Sequence, residues 1–229
     1  MFRRFAVVAV IAFLVAGCGS VRAAGPHNIT LTLVRHAQSG GNASGLIDTS
    51  VPGPELTAKG WCQATAAAAQ LSPNHYDGVY ASSLIRTQQT ATPTAQALGE
   101  PVNVLPGLRE IEAGQYEGQP EFNAQSYLAA PLRWLQGDRS AKIPGSLDGN
   151  EFEARFNDAV RQIYESGDQN PVVFSHGAAI MLWVLMNVRN SDPSLLTGKS
   201  LPNIGHVIVN GNPSEGWTLT DWDADPPPC

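Results

Sequence analysis

Positive charge is scarce in this sequence: 14 lysines and arginines stand against 20 aspartates and glutamates, a formal net charge of −6. A nucleic-acid footprint needs a basic face and an anionic membrane surface attracts a polybasic patch; the chain has neither, so nucleic acid is excluded as a partner. Charged residues of both signs reach only 15%, below the usual quarter, because an apolar leader and alanine-rich helices dilute them. Cysteine is scarce as well, with three residues and no zinc-type spacing. HxH and HExxH arrangements are also missing, so the sequence signatures of a metal site are absent. No internal repeat or long low-complexity segment occurs. What is left is a chain of 229 residues, 43% hydrophobic, ample for one globular core and short for two sizeable domains.

The first residues read as a targeting segment rather than as part of the fold. Arg3 and Arg4 form a positive n-region, and Phe5 to Ala16 is an apolar stretch too short to span a bilayer. Val15-Ala16-Gly17-Cys18 resembles a bacterial lipobox, which makes residues 1–17 a signal peptide and Cys18 a lipidated mature N-terminus. Val21-Arg22-Ala23 offers the alternative of ordinary signal-peptidase cleavage and simple secretion. An uncleaved anchor is disfavoured by Gly17, Gly19 and Ser20, which interrupt the run. The expected product is an exported protein held at the outer face of the cell membrane through Cys18. Its other two cysteines, Cys62 and Cys229, are then free to form one disulfide.

Residues 18–27 read as a tether, 28–221 as the folded domain and 222–229 as a loose proline-rich tail. Within the domain, apolar runs of strand length alternate with helical spacings. The strands expected are Asn28 to Val34, Asp77 to Ala81, Val102 to Leu105 and Pro171 to Phe174, with a closing pair at His206 to Asn210 and Trp217 to Thr220. Between them lie a helix capped by Thr57, one opened by Ser82 or Ser83 and interrupted by Pro93, an irregular helical stretch from Glu121 to Gln136, and helices at Asn150 to Ser166 and Ala178 to Val188. Such alternation predicts an α/β fold with a largely parallel sheet covered on both faces.

Two strings carry the chemistry. LVRHAQS (Leu33 to Ser39) and VVFSHGAAI (Val172 to Ile180) each end an apolar strand in a histidine. Ligands of open α/β sheets bind beyond the carboxyl ends of the strands, so His36 and His176 are expected in one pocket. Arg35 makes that pocket cationic, which suits a phosphoryl group better than a metal ion. A neutral imidazole at His36 is a nucleophile that a phosphate dianion does not repel, and nearby guanidinium charge keeps it neutral. Arg35 and Arg86 fork hydrogen bonds onto phosphoryl oxygens. Ser82 and Ser83 place backbone donors at the same strand-to-helix junction. His176 stabilises the transferring oxygens, and Gly177 permits close backbone approach. A general acid is needed for the leaving alkoxide. Glu110 in LREIEAGQYEG is the first choice, with Glu112 and Glu117 as competitors that spacing alone does not separate. Phe122, Tyr127, Leu128, Leu132 and Trp134 either line a pocket for a bulky leaving group or form the buried face of a helix.

The series RHAQS, Asn42, LTAKGWCQA, SSLIRTQQTA, LREIEAGQYEG and SHGAAI, from about Leu31 to Ala179, resembles the histidine phosphatase superfamily in its phosphoglycerate-mutase-like branch. The resemblance implies a three-layer α/β/α sandwich and assigns His36 as the phosphorylated histidine. It also implies Arg35, Asn42, Arg86 and His176 as phosphate ligands, Glu110 as the proton donor, and no cofactor. Ala37-Gln38 replaces the more usual Gly-Glu or Gly-Gln. The paired basic residues with which mutases grip a second anionic group are missing; only Arg133, Arg139, Lys142 and Arg155 are scattered through the segment that governs substrate, and Arg155 in DGNEFEARF reads as structural. Outside the membrane water is the available acceptor, so hydrolysis of a small phosphorylated substrate is expected over mutase-type transfer. The alternative from another class is a surface-anchored lipoprotein that binds phosphorylated ligands with little turnover. Nothing in the sequence sets an oligomeric state.

Overall fold

The computed structural model describes residues 25–196 and 200–229; the lipobox and Cys18 lie outside them, as do Arg3 and Arg4. The elements are β1 (Ile29–Arg35), α1 (Gly40–Ser44), α2 (Ala58–Leu71), β2 (Gly78–Ala81), α3 (Ile85–Leu98), β3 (Val102–Val104), α4 (Ala124–Leu135), α5 (Gly149–Ser166), β4 (Pro171–Ser175), α6 (Gly177–Asn187), β5 (His206–Asn212) and β6 (Gly216–Asp223). They build one six-stranded sheet in the order β3-β2-β4-β1-β5-β6. Strands β3, β2, β4 and β1 run parallel, while β5 and β6 are antiparallel additions at one edge.

Alternation along the strands distributes side chains to the two faces. Leu31 and Leu33 of β1 and Val173 of β4 join the core that contains Trp134, Phe152, Phe156 and Trp183. Val34, Val172 and Phe174 point the other way, onto Ala64, Ala67, Leu71, Ala91 and Ala95 of α2 and α3. The expected mostly parallel three-layer sandwich is therefore the one observed. On the α5–α6 side the aromatic rings follow one another at centroid distances of 5.7, 6.0 and 5.4 Å from Trp134 to Trp183. Such pairs add roughly 0.5–1.5 kcal/mol each beyond their burial. On the other side small residues let α2 and α3 lie close to the sheet.

Caps follow the sequence in part. Thr57 caps α2, its Oγ1 accepting from Gly60 N, and Asp148 opens α5 through a reciprocal pair with Glu151. A Cβ on Gly60 would lie 2.1 Å from the Gln38 carbonyl oxygen, so LTAKG serves packing. Helix α3 differs from expectation: it begins after Leu84 and runs unbroken through Pro93. Burial of Thr90, Ala91, Thr94 and Ala95 along one face offsets the hydrogen bond proline removes. The loose tail is a second difference. Strand β6 continues to Asp223, and Cys229 is disulfide-bonded to Cys62 of α2, which ties the chain end to the folded domain.

Candidate active site

Strand register assembles the site. Parallel pairing sets Arg35 of β1 opposite Ser175 of β4 and Ala81 of β2 opposite Phe174. The residues one step further on, His36, His176 and Ser82, therefore emerge side by side at adjacent carboxyl ends. The rings of His36 and His176 meet edge to face with centroids 5.1 Å apart. Both are buried, at 4% and 0% exposure.

Each imidazole has a defined neighbour. His36 Nδ1 lies 2.7 Å from the Ala37 carbonyl oxygen, which only accepts, so the proton sits on Nδ1 and the lone pair on Nε2. Arg86 Nε donates to that Nε2 at 3.2 Å. Burial first, then the Arg86 and Arg35 charges, hold the His36 pKa well below its usual 6.5. Burial and the Arg86 charge do the same to His176. Ser82 Oγ lies 2.8 Å from His176 Nε2. The other nitrogen of the His176 ring is Nδ1. This atom has no partner among the described residues, like Arg35 Nε and Arg86 Nη1. Two of these atoms belong to arginines that line one pocket, and buried guanidinium N–H groups without a protein acceptor suit an anion.

Other contacts hold the cationic groups in place. Arg35 Nη1 donates to Leu201 O at 2.7 Å, and Arg86 Nη2 to Asp48 O at 3.1 Å. A Cβ on Gly177 would lie 3.2 Å from Arg35 Cδ and Nε, so glycine here makes room for the Arg35 side chain, and Gly177 also lines the pocket. Asn42 closes a capping box with Ser39 at the start of α1. Its Oδ1 also accepts from Asn203 Nδ2 at 3.3 Å, which leaves the NH2 end for an anion. Ser82 differs from expectation: its N–H is used, donating to Phe174 O at 3.2 Å, and its hydroxyl is the group that meets His176. Ser83 Oγ is buried without a partner among the described residues.

The three acidic candidates separate cleanly. Glu112 accepts from both Arg109 and Arg155 at 2.8 Å. Glu117 accepts from Thr49 N and Oγ1 at 2.8 and 2.5 Å, pinning the loop whose Asp48 carbonyl holds Arg86. Glu110 alone of the three lines the pocket. Its carboxylate accepts from Ala178 N at 3.3 Å and Ala179 N at 2.8 Å, at the start of α6, and from Ile111 N at 3.0 Å. These bonds and Arg86 favour the anion, but burial outweighs them and raises the pKa above 4.5. A buried carboxyl with a raised pKa, in the pocket that also holds His36, is equipped to donate a proton. Arg155 Nη2 donates to the carbonyls of Arg109 and Glu110 at 3.1 and 3.2 Å, so this arginine holds the Glu110 segment.

Sequence reasoning missed Asn203, which donates to His36 O at 2.8 Å, and the Thr49–Glu117 clamp. No local pattern marks either, because each acts across a long stretch of chain.

Comparison with known proteins agrees with this geometry. The profile of the histidine phosphatase superfamily (branch 1) matches residues 31–225. The chain belongs to the histidine phosphatase superfamily. It is 44% identical over 216 residues to the PE-PGRS family protein PE_PGRS11 of Mycobacterium tuberculosis, covering 87% of this chain but spanning only 37% of that protein's length. It is 29% identical over 181 residues to a putative phosphoserine phosphatase 2 of Hydrogenobacter thermophilus, covering 79% of this chain and 84% of the relative. A probable phosphoglycerate mutase GpmB of Yersinia enterocolitica is 32% identical over 153 residues, covering 65% and 69%. Among solved structures, a mycobacterial glucosyl-3-phosphoglycerate phosphatase superposes with a TM-score of 0.70 at 22% identity, over 86% of this chain and all of that one. Family membership together with relatives named as phosphatases supports a phosphatase.

Proposed function

We propose that the chain is a metal-independent phosphomonoesterase that works through a phosphohistidine at His36 on a small phosphorylated metabolite. The observation that carries this is a pocket lined by Arg35 and Arg86, each with a buried N–H group that has no protein acceptor among the described residues, beside the unprotonated Nε2 of His36, which accepts from Arg86 Nε. In the first step the Nε2 lone pair forms a bond to phosphorus while the ester P–O bond breaks, and the Glu110 proton passes to the departing alkoxide. In the second, Glu110, now a carboxylate, takes a proton from water, whose oxygen attacks phosphorus and breaks the P–N bond. Splitting one displacement into two lowers each barrier, and the fixed donors stabilise charge on the transferring oxygens. Purified protein is expected to hydrolyse an aryl phosphate in excess chelator. Loss of turnover on chelation would remove the metal-free reading.

Relatives named as mutases motivate the second reading, phosphoryl transfer between positions of a phosphoglycerate. Arg35 and Arg86, already committed to the phosphoryl group, are the basic residues lining the pocket among those described, which supports hydrolysis instead. Isomer exchange without phosphate release, in the presence of a bisphosphorylated primer, would favour the mutase. Phosphate-analogue binding with no hydrolysis of any ester would favour the binding lipoprotein.

The Cys62–Cys229 disulfide supports an oxidising, extracytoplasmic location, in keeping with export and a lipid anchor at Cys18. Labelling of the full chain by a radioactive fatty acid, lost in Cys18→Ala, tests the anchor; labelling that survives the substitution would sink it.

A further inference from the structure

The pocket extends well past the phosphoryl position, and its two ends differ in chemistry. Its volume is about 550 Å³, within the range of sites that enclose a whole small molecule. The outer part is walled by α4, which contributes Ala124, Tyr127, Leu128, Pro131 and Leu132 at helical spacing. Opposite stand Leu46, Met181, Leu182, Leu196 and Leu201. Leu46 and Leu132 keep 41% and 44% exposure at the rim, an arrangement that costs free energy unless something apolar covers it. The sequence alternatives for α4 thereby divide. Tyr127, Leu128 and Leu132 line the cavity, Trp134 is core, and Phe122 is exposed outside it.

The charges of the outer part point the same way. Among the described residues, the charged side chains that line the pocket besides Arg35, Arg86 and Glu110 are Asp48 and Glu121, both acidic. The other arginines near the substrate-governing segment are engaged elsewhere: Arg155 and Arg109 with Glu112, Arg133 with Asp138, Arg139 with Glu153. Among the described lining residues, a leaving group bearing a carboxylate or second phosphate would meet two anions and no cation beyond Arg35 and Arg86.

We propose that the substrates are phosphomonoesters of hydrophobic, uncharged alcohols, with an alkyl, aryl or isoprenyl body lying along α4 between Leu128, Leu132 and Met181. This rests on the phosphatase reading above and names the substrate class of that same site.

The test is kcat/KM of the whole protein for ethyl, butyl, hexyl and octyl phosphate, beside 3-phosphoglycerate, phosphoserine and a simple aryl phosphate. Burial of each CH2 predicts a rise of up to about fourfold per methylene until the cavity is filled. The two anionic esters are expected at least about tenfold below octyl phosphate. The paired change Leu128→Ser with Leu132→Ser lowers the octyl-to-ethyl ratio. Competition by n-alkylphosphonates, whose Ki falls with chain length, gives the same answer in the unmodified protein. A flat chain-length series, or 3-phosphoglycerate as the better substrate, overturns the proposal. If no ester at all is cleaved, the aryl phosphate included, the phosphatase reading fails separately, while a chain-length dependence of phosphonate binding keeps the apolar selectivity standing.

Discussion

The inner and outer ends of one pocket are built on different principles. The inner end is made of strand termini whose positions are set by backbone hydrogen bonds: His36 N donates to Ser175 O at 2.9 Å and Ser82 N to Phe174 O at 3.2 Å. It is polar, buried and dense with donors. The outer end is made of helix faces and loops, is apolar, and reaches solvent at Leu46 and Leu132. The difference implies that, in the proposed enzyme, chemistry and selectivity are mechanically separable. A sheet holds the reacting groups within the tolerance that proton transfer needs, whereas α4 supplies apolar area.

That separation is open to attack, and the strongest test is His36→Ala. It is expected to lower kcat by at least about 10³-fold while alkylphosphonate binding keeps its dependence on chain length. Loss of both together would mean that the two ends are not independent.

Next comes Glu110→Gln, with an expected loss of about 10²–10⁴-fold, larger for alkyl esters, whose leaving alkoxides need the proton, than for an activated aryl ester. The pH profile of kcat/KM sharpens the point. His36 is neutral in the free enzyme well below pH 6.5, so the acid limb lies below that value. The raised Glu110 pKa places an alkaline limb above 4.5, and the variant loses that limb. Stability shifts with pH as well. Below about 6.5 the unfolded chain protonates His36 and His176, whereas the fold keeps both neutral. Unfolding therefore takes up protons, and stability declines as pH falls through this range. In Glu110→Gln, which removes the opposing contribution of the raised Glu110 pKa, a melting temperature that rises on acidification from pH 7 to 5 would contradict the assigned burial of both rings.

A smaller effect is expected of Ser82→Ala. Removing the partner of His176 Nε2 frees the ring to change tautomer, and kcat is expected to fall about tenfold with KM for alkyl esters little changed. Smallest of all for activity is Cys229→Ser. It opens a link between residues 167 apart in sequence and is expected to lower unfolding stability by about 2–4 kcal/mol, with kcat/KM unchanged at 25 °C. A catalytic defect there would tie the far side of the sheet to the pocket.

The same contrast explains what was legible in the sequence. Alternating apolar strands ending in His36 and His176 can be read locally, because strand register converts position along the chain into position in space. The competition among Glu110, Glu112 and Glu117 cannot be read so: the winner depends on which carboxylate reaches the start of α6 and which are captured by Arg155 or Thr49, partners far away in sequence. Asn203 lies 167 residues from His36 in a segment with no pattern of its own. Gly177 reads locally as a place of close approach, but that the Arg35 side chain packs against it as well has no local signal. The apolar residues of α4 were ambiguous because a helix face against a cavity has the same spacing as one against core. Pro93 suggested a break that packing on the sheet overrides, and the tail looked loose because nothing local announces a disulfide to α2.

The central claim is that phosphorus passes through Nε2 of His36. The direct test is rapid quenching, under alkaline conditions, of the protein reacting with a ³²P-labelled aryl phosphate, followed by peptide mapping. The account predicts label on the peptide that carries His36, forming and decaying at rates compatible with turnover and absent from His36→Ala. Turnover without any labelled protein, or label on a different residue, would contradict it.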